Sequence, residues 1–250
     1  LNRQTAAVHP QLLSRAATLR LIDAFTAELQ AGQGAARCIA TGTGPGPGWD
    51  WLPDTARKSG AGLALLNYAD GRQSAIAPPF PITSAAEGLA PLRDILGARP
   101  TVGIILVRLG KYAVGVADDE TLLAPKAGHR YVKGRHRAGG QSQHRFEHNR
   151  EKWIRELYDE VCQVAVSKFH LAPKPLDWLA LGGDHIVLAG FIKRCAALGT
   201  LRDKVLPWRV PVNAPKAPGL DTLHAAVRAV WSSRIYTNGP AIEEKRRQSF

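Results

Sequence analysis

The chain has 250 residues, with 33 Lys and Arg against 21 Asp and Glu, for a formal net charge of +12. Hydrophobic residues make up 45%, which excludes a wholly disordered chain, and no run approaches the ~18 uncharged apolar residues of a membrane span. The 24 glycines and 17 prolines follow no period, which excludes a collagen-like repeat. The length suits one large domain or two small ones. The positive excess favours acidic partners, nucleic acid first.

In chain order, Leu1 to Ala17 has no uninterrupted apolar stretch, so no signal peptide is expected and a cytoplasmic location follows. Met is absent even at position 1, which points to a trimmed start. Pro10 to Gly32 reads as a helix, with Leu12, Ala16, Leu19, Ile22, Phe25 and Leu29 near one face. The Gly/Pro run Thr41 to Gly48 lacks the Lys-Ser/Thr of a phosphate-binding loop and reads as a linker or wrapping loop. Gly62 to Asn67 and Gln73 to Ala77 flank Asp70-Gly71 as a hairpin. Ser84 and Glu87 have capping-box spacing ahead of a short helix to Leu96.

Thr101 to Val107, Tyr112 to Val116 and a third strand from Leu122 predict an antiparallel meander. Residues 121–146 contain no carboxylate and read as an exposed basic loop rich in glycine. A long helix is expected from about Arg145 to Phe169, burying Ile154, Leu157, Tyr158, Val161, Ala165 and Phe169. Trp178 to Leu181 reads as a strand and Gly182-Gly183-Asp184 as a tight turn. His185 to Leu198 then reads as a helix, Lys204 to Val212 as an extended piece, and Asp221 to Ser232 as a last helix.

Strands followed by alternating strands and helices predict an α/β (α+β) fold. Its mixed, partly antiparallel sheet carries helices on its faces, beside a small N-terminal α/β module. The expected divisions are an accessory module at 1–98, a second domain at 99–240 with its basic loop at 126–146, and a charged tail at 241–250. Cys38, Cys162 and Cys195 have neither disulfide-framework nor zinc spacing, and Cys162 and Cys195 read as buried thiols.

Other chemistries read weakly. His129, His136, His144 and His148 fit no standard ligand spacing in a strongly basic setting, so no metal and no cofactor are expected. Asp118-Asp119-Glu120 could hold Mg²⁺ in a nuclease, but consecutive carboxylates between strands more often form a turn. Gly182-Gly183 could bind an anion ahead of its helix, against the plainer reading of a tight connection. His185 has no evident Ser partner for a hydrolase triad.

Within the basic loop stands Gly139-Gly140-Gln141-Ser142-Gln143-His144-Arg145-Phe146, followed by Arg150-Glu151-Lys152. A Gly-Gly-Gln-Ser run leading into Arg-Phe and a long charged helix resembles the central domain of eukaryotic and archaeal peptide-chain release factors. Val102 to Gly115 resembles that domain's strand pair, and Leu179 to His185 its later strand, small-residue turn and helix. The resemblance covers about Thr101 to Asn238. The first hundred residues resemble no codon-reading domain, and no Asn-Ile-Lys-Ser loop occurs. The compact form is closer to the Vms-like release factors of ribosome quality control, including their actinobacterial branch. That family's Gly-x-x-Gln also fits Gly140 to Gln143, so Gln141 and Gln143 both qualify as the catalytic glutamine. Gln141 is favoured because both glycines precede it directly.

The resemblance implies a monomeric peptidyl-tRNA hydrolase that acts in the large ribosomal subunit and frees stalled chains without reading codons. Its partners would be ribosomal RNA and peptidyl-tRNA. Gly139, Gly140, Gln141 and Gln143 would serve catalysis. Lys133, Arg135, Arg137, Ser142, Arg145, Arg150 and Lys152 would contact RNA. The alternative is a non-catalytic ribosome- or RNA-binding factor.

Overall fold

The structure is a computed structural model that describes residues 9–132, 141–212 and 218–239, with 141–147 as helix backbone. Its elements run β1 (Gln11–Leu13), α1 (Arg15–Gln30), β2 (Ala35–Ile39), α2 (Asp54–Arg57), β3 (Leu63–Asn67), β4 (Gln73–Ala77), β5 (Ala86–Glu87), α3 (Ala90–Gly97) and β6 (Thr101–Arg108). They continue β7 (Lys111–Asp118), β8 (Thr121–His129), α4 (Gln141–Phe169), β9 (Trp178–Gly183), α5 (His185–Arg194), a 3-10 segment (Ala196–Lys204), α6 (Leu220–Val230) and β10 (Ser233–Thr237). Described residues up to Ala98 form one compact unit together with those from Ser232, and Arg99–Trp231 form a second.

In the first unit a six-stranded sheet runs in the order β1-β10-β4-β3-β2-β5, with every neighbouring pair antiparallel. Alternation along the strands separates two cores. Ala64, Leu66 and Ile76 meet Ile22, Phe25 and Leu92 from α1 and α3. Leu63, Leu65 and Ala75 meet Trp49, Leu52 and Ala56 on the other face. The Gly/Pro run therefore delivers Trp49 to a core, and the Arg37 guanidinium ties it down by donating to the Pro45 carbonyl at 2.6 Å.

Three expectations are corrected in this unit. Gln11 to Leu13 pair with β10 as a strand rather than opening the helix, which starts at Arg15 behind the Ser14 cap. Ser84 and Glu87 make no capping box, because Ala86–Glu87 are drawn into pairing with Arg37 and Cys38, and α3 begins at Ala90 without a side-chain cap. The boundary at 240 also shifts. Ser233–Thr237 lie between β1 and β4, where backbone pairing outweighs proximity in sequence to the second unit.

The second unit is built on a mixed sheet of order β8-β7-β6-β9, antiparallel except for the parallel pair β6–β9. Ile105, Val107 and Val114 pack against Leu157, Val161 and Ala165 of α4 and against Leu188 and Phe191 of α5. Each such fully buried aliphatic side chain stabilises the fold by roughly 1.5–3 kcal/mol. On the opposite face of the sheet, the α6 residues Leu223, Val227 and Val230 are buried.

Here too the structure departs from several sequence expectations. The third strand runs on to His129, so the loop is shorter than 126–146. As an edge strand β8 tolerates Pro125, and a register shift opposite Val114 to Val116 accommodates Ala124 at φ 46°. The long helix starts at Gln141 rather than Arg145. The fifth helix stops at Arg194, and the extended piece after Lys204 joins the sheet through isolated bridges at Val205 and Val210 rather than as a strand.

Cys162 and Cys195 are not free thiols. They form a disulfide, with Cα atoms 5.5 Å apart, because α4 and the end of α5 lie side by side. Cys38 is a buried thiol, and burial pushes its pKa up. Among the described residues no helix is long and apolar enough to cross a membrane.

Candidate functional site

The Gly-Gly-Gln segment connects the end of β8 to the start of α4, and the structure describes the two feet of that connection. Lys133, Arg135, Arg137, Gly139 and Gly140 lie outside the described residues. Gln141, Ser142, Gln143 and Arg145 are placed by their backbone in the first turns of α4. A helix beginning at Gln141 has no intrahelical acceptors for its first backbone N–H groups. Its first turn carries no acidic residue to satisfy them.

The first fully buried side chain described on α4 is Leu157, roughly 24 Å along the axis from Gln141 at ~1.5 Å per residue. From Leu157 onwards the stripe Leu157, Val161 and Ala165 fixes the helix on the sheet. The helix thus holds the two candidate glutamines far from the core that anchors it.

The other foot is clamped to α4 by charge. The Arg130 guanidinium donates from Nη1 to Glu160 Oε2 at 3.0 Å and from Nη2 to Glu156 Oε2 at 2.9 Å. Glu156 and Glu160 sit one helical turn apart, so both carboxylates face the same fork. These bonds push the Arg130 pKa up, Glu156 contributing most. The Arg130 amide donates to the Gly110 carbonyl at 3.0 Å, and Tyr131 meets Trp153 edge to face at 5.6 Å.

Glu160 also accepts from the buried Tyr112 hydroxyl at 2.8 Å. Burial and this carboxylate push the Tyr112 phenol up to about 12. Gly128 makes room for the ring, since a Cβ there would stand 2.4 Å from the phenol. None of these clamp residues was singled out in the sequence as part of a site. The available signal was the Glu pair at helical spacing, one turn beyond Lys152, opposite an arginine at the loop's base.

Arg150 and Lys152 are the two sequence-predicted RNA contacts whose side chains are described. Lys152 is exposed on α4. Arg150 lines a cavity of about 840 Å³ between the foot of the loop, α4 and the start of α5. Its Nε is buried with no hydrogen-bond partner among the described residues. Arg108 and Lys111 line the same cavity from the β6–β7 turn, and Tyr131 and Ile186 rim it at 68% and 79% exposure. Burial holds the nearby Tyr158 phenol up, with Arg150 opposing and Asp184 adding to the shift.

The competing constellations serve the fold. Gly182 and Gly183 close β9, and Asp184 caps α5 by accepting from Ile186 N at 2.9 Å and Val187 N at 3.3 Å, which fills the position an anion would take. Asp118 accepts from the Thr101 hydroxyl at 2.9 Å, and Asp119 takes the φ 52° position of the β7–β8 turn. No three metal-ligating side chains come together among the described residues. His136 lies outside them, as does the His144 side chain.

Residues 100–236 match the family model described as Actinobacteria/chloroflexi VLRF1 release factor. Peptide chain release factor subunit 1-2 of Methanosarcina acetivorans is 32% identical over 96 residues, 38% of this chain and 23% of that protein. Peptide chain release factor subunit 1 of Methanopyrus kandleri is 29% identical over 118 residues, 47% of this chain and 29% of that protein. The matched stretch thus spans under a third of the length of these relatives.

Among solved structures, an archaeal translation termination factor, aRF1, aligns with TM-score 0.34 and 15% identity, over 86% of this chain and 69% of its own. Pelota of Archaeoglobus fulgidus aligns with TM-score 0.33 and 12% identity, over 92% and 64%. The family model spans more than half of the sequence, including all of β6 to β9 and the Gly-Gly-Gln segment. The chain belongs to the Actinobacteria/chloroflexi VLRF1 release-factor family.

Proposed function

We propose that the protein is a cytoplasmic peptidyl-tRNA hydrolase. It enters the peptidyl transferase centre of the large ribosomal subunit and releases stalled nascent chains without reading a codon. What supports this reading is that the sequence Gly139-Gly140-Gln141 runs into a helix that begins at Gln141, in the connection whose other foot is clamped to that helix by Arg130. The first backbone N–H groups of that helix have no intrahelical acceptors, and such groups stabilise an oxyanion.

In the reaction, water attacks the ester carbonyl carbon and the carbonyl π pair moves to oxygen. The tetrahedral adduct then collapses, the bond to the ribose 3′-oxygen breaks, and that oxygen takes up the proton that the attacking water gives up. Gln does not titrate near neutrality, so Gln141 acts by geometry, orienting the water with its side-chain amide. A backbone N–H beside it donates to the developing oxyanion, a contribution of about 10²–10³ in rate. Gly139 and Gly140 allow a close approach that a Cβ would block. Positioning the water supplies a further entropic term. Lys133, Arg135, Arg137, Ser142, Arg145, Arg150 and Lys152 contact RNA.

The test is peptide release from isolated peptidyl-tRNA–large-subunit complexes by wild type, Gln141→Ala and Gln143→Ala. Release by wild type and Gln143→Ala but not by Gln141→Ala is expected. No release by wild type rejects the hydrolase and leaves a binding factor. Loss confined to Gln143→Ala moves the catalytic register to that residue.

A further inference from the structure

The cavity beside the loop's foot has a chemistry of which the hydrolytic reading uses only Arg150. Arg108 and Lys111 project from one turn and Arg150 from α4, and none of their side chains has a hydrogen bond or ion pair with another described residue. The remaining lining charges are already engaged. Arg130 is taken by Glu156 and Glu160, and Asp184 by the first N–H groups of α5. The cavity therefore presents a net positive interior to whatever enters it.

Its other walls are apolar or aromatic, including Ile154, Tyr158 and Val187, with Leu109, Tyr131 and Ile186 exposed around it. Tyr131 meets Trp153 at an interplanar angle of 69° and remains 68% exposed, so much of its ring is open to a ligand. A volume of about 840 Å³ falls within the ~300–1,000 Å³ typical of small-ligand clefts.

A fitting ligand combines anionic oxygens with a flat, weakly polar body. Cationic grooves beside aromatic platforms are the general means of holding single-stranded nucleic acid, phosphates on the cations and bases on the rings. A double helix fails this test, because its bases are stacked inside and present no face to a pocket. An unstacked nucleotide satisfies both halves at once.

We propose that this cavity is a pocket for one unstacked nucleotide of single-stranded RNA, its base against Tyr131 and Ile186 and its phosphates on Arg108, Lys111 and Arg150. The inference rests on the proposed function only in taking RNA as the partner. It gives the protein a second handhold on RNA, on the sheet and helices of the second unit and apart from the Gly-Gly-Gln sequence.

The experiment is fluorescence anisotropy of the full chain with a labelled oligouridine and with an abasic ribose-phosphate oligomer of equal length. Wild type is expected to prefer the uridine oligomer by roughly 5- to 150-fold, the range of one base–aromatic stack. Tyr131→Ala should erase that preference and Tyr131→Phe should keep it. Arg108→Gln with Lys111→Gln should weaken both oligomers and lower the log–log salt slope by about 1.4.

Equal binding of the two oligomers by wild type overturns the pocket, as does a preference that survives Tyr131→Ala. An acidic apolar peptide bound in place of RNA, with the same dependence on Tyr131 and Arg108, assigns the cavity to a protein and also overturns it. The assay contains neither ribosome nor ester. Its failure therefore leaves the hydrolase standing, and failed peptide release leaves the pocket standing.

Discussion

The Tyr112 hydroxyl donates to Glu160 at 2.8 Å, which ties the middle of the sheet to the helix that carries the candidate glutamines. Burial is the largest cause of the raised phenol, followed by the hydrogen bond to Glu160. The folded chain therefore holds the phenolic proton more tightly than the unfolded chain, whose tyrosines titrate near ~10. The stability from this difference is fully present below about pH 10 and is lost as the pH rises through about 12. Tyr112→Phe should remove the phenol that titrates last by ultraviolet absorbance and cost about 0.5–1.5 kcal/mol. If the variant instead loses a phenol from the step near the ordinary value, the bond to Glu160 is not formed.

Gly183 ends β9 at φ 138°, and a Cβ there would stand 1.9 Å from the Val107 carbonyl oxygen. That contact is with backbone in a paired strand, so no side chain can swing away to relieve it. Gly110, at φ 88° in the β6–β7 turn, has only the Arg130 carbonyl at an ordinary 3.6 Å. Gly110→Ala should therefore cost only the left-handed strain, about 1–2 kcal/mol. Gly183→Ala should cost more than about 3 kcal/mol by denaturant midpoint. Equal losses would mean that β9 does not lie against β6 in the register described.

Much of the second unit was legible because its signals are local. The unbroken run Val102 to Val107 gives a strand buried on both faces, and Leu157, Val161 and Ala165 recur at helical spacing. What escaped depends on distant partners. Gln11 to Leu13 become a strand only because β10, from the far end of the chain, pairs with them. Residues 126–129 read as loop by composition, yet β7 supplies a ladder that carries them as an edge strand. The Gly-Gly-Gln segment itself was found by pattern. Its supporting clamp was not, since Tyr112, Arg130 and Glu160 are far apart in sequence and unremarkable one by one.

Cys162 and Cys195 join α4 to the end of α5 across 33 residues. One turn before Cys162, Asp159 accepts two bonds from Arg194, at 2.6 and 2.7 Å. The two links differ in expected weight. Closing a loop of this size with a disulfide contributes about 2–4 kcal/mol. The ion pair is half exposed, so it contributes roughly 0.2–1 kcal/mol despite its geometry. Its hydrogen bond holds the Asp159 carboxyl below the usual range, so its share is present above the unfolded pKa of ~3.9 and lost as pH falls through the lower folded value. Dithiothreitol should lower the melting temperature by several degrees, and Arg194→Gln by a degree or two at most. A melt insensitive to reductant would show that the thiols are not joined in solution.

Arg130, Arg135 and Arg137 belong to one acid-free stretch of sequence, but they should behave differently on the ribosome. Arg130 is committed to Glu156 and Glu160, so its charge is already balanced and releases few counterions when RNA arrives. Arg135 and Arg137 lie outside the described residues and are proposed to meet phosphates directly. Replacing both by Gln should lower the log–log salt slope of large-subunit binding by about 1.4–1.8 and weaken binding most at low salt. Arg130→Gln should leave that slope nearly unchanged and instead lower thermal stability, because two facing carboxylates lose their shared partner. A slope that falls as much for Arg130→Gln as for one of the other arginines would show the clamp opening on RNA. A slope unmoved by the double change would remove Arg135 and Arg137 from the interface.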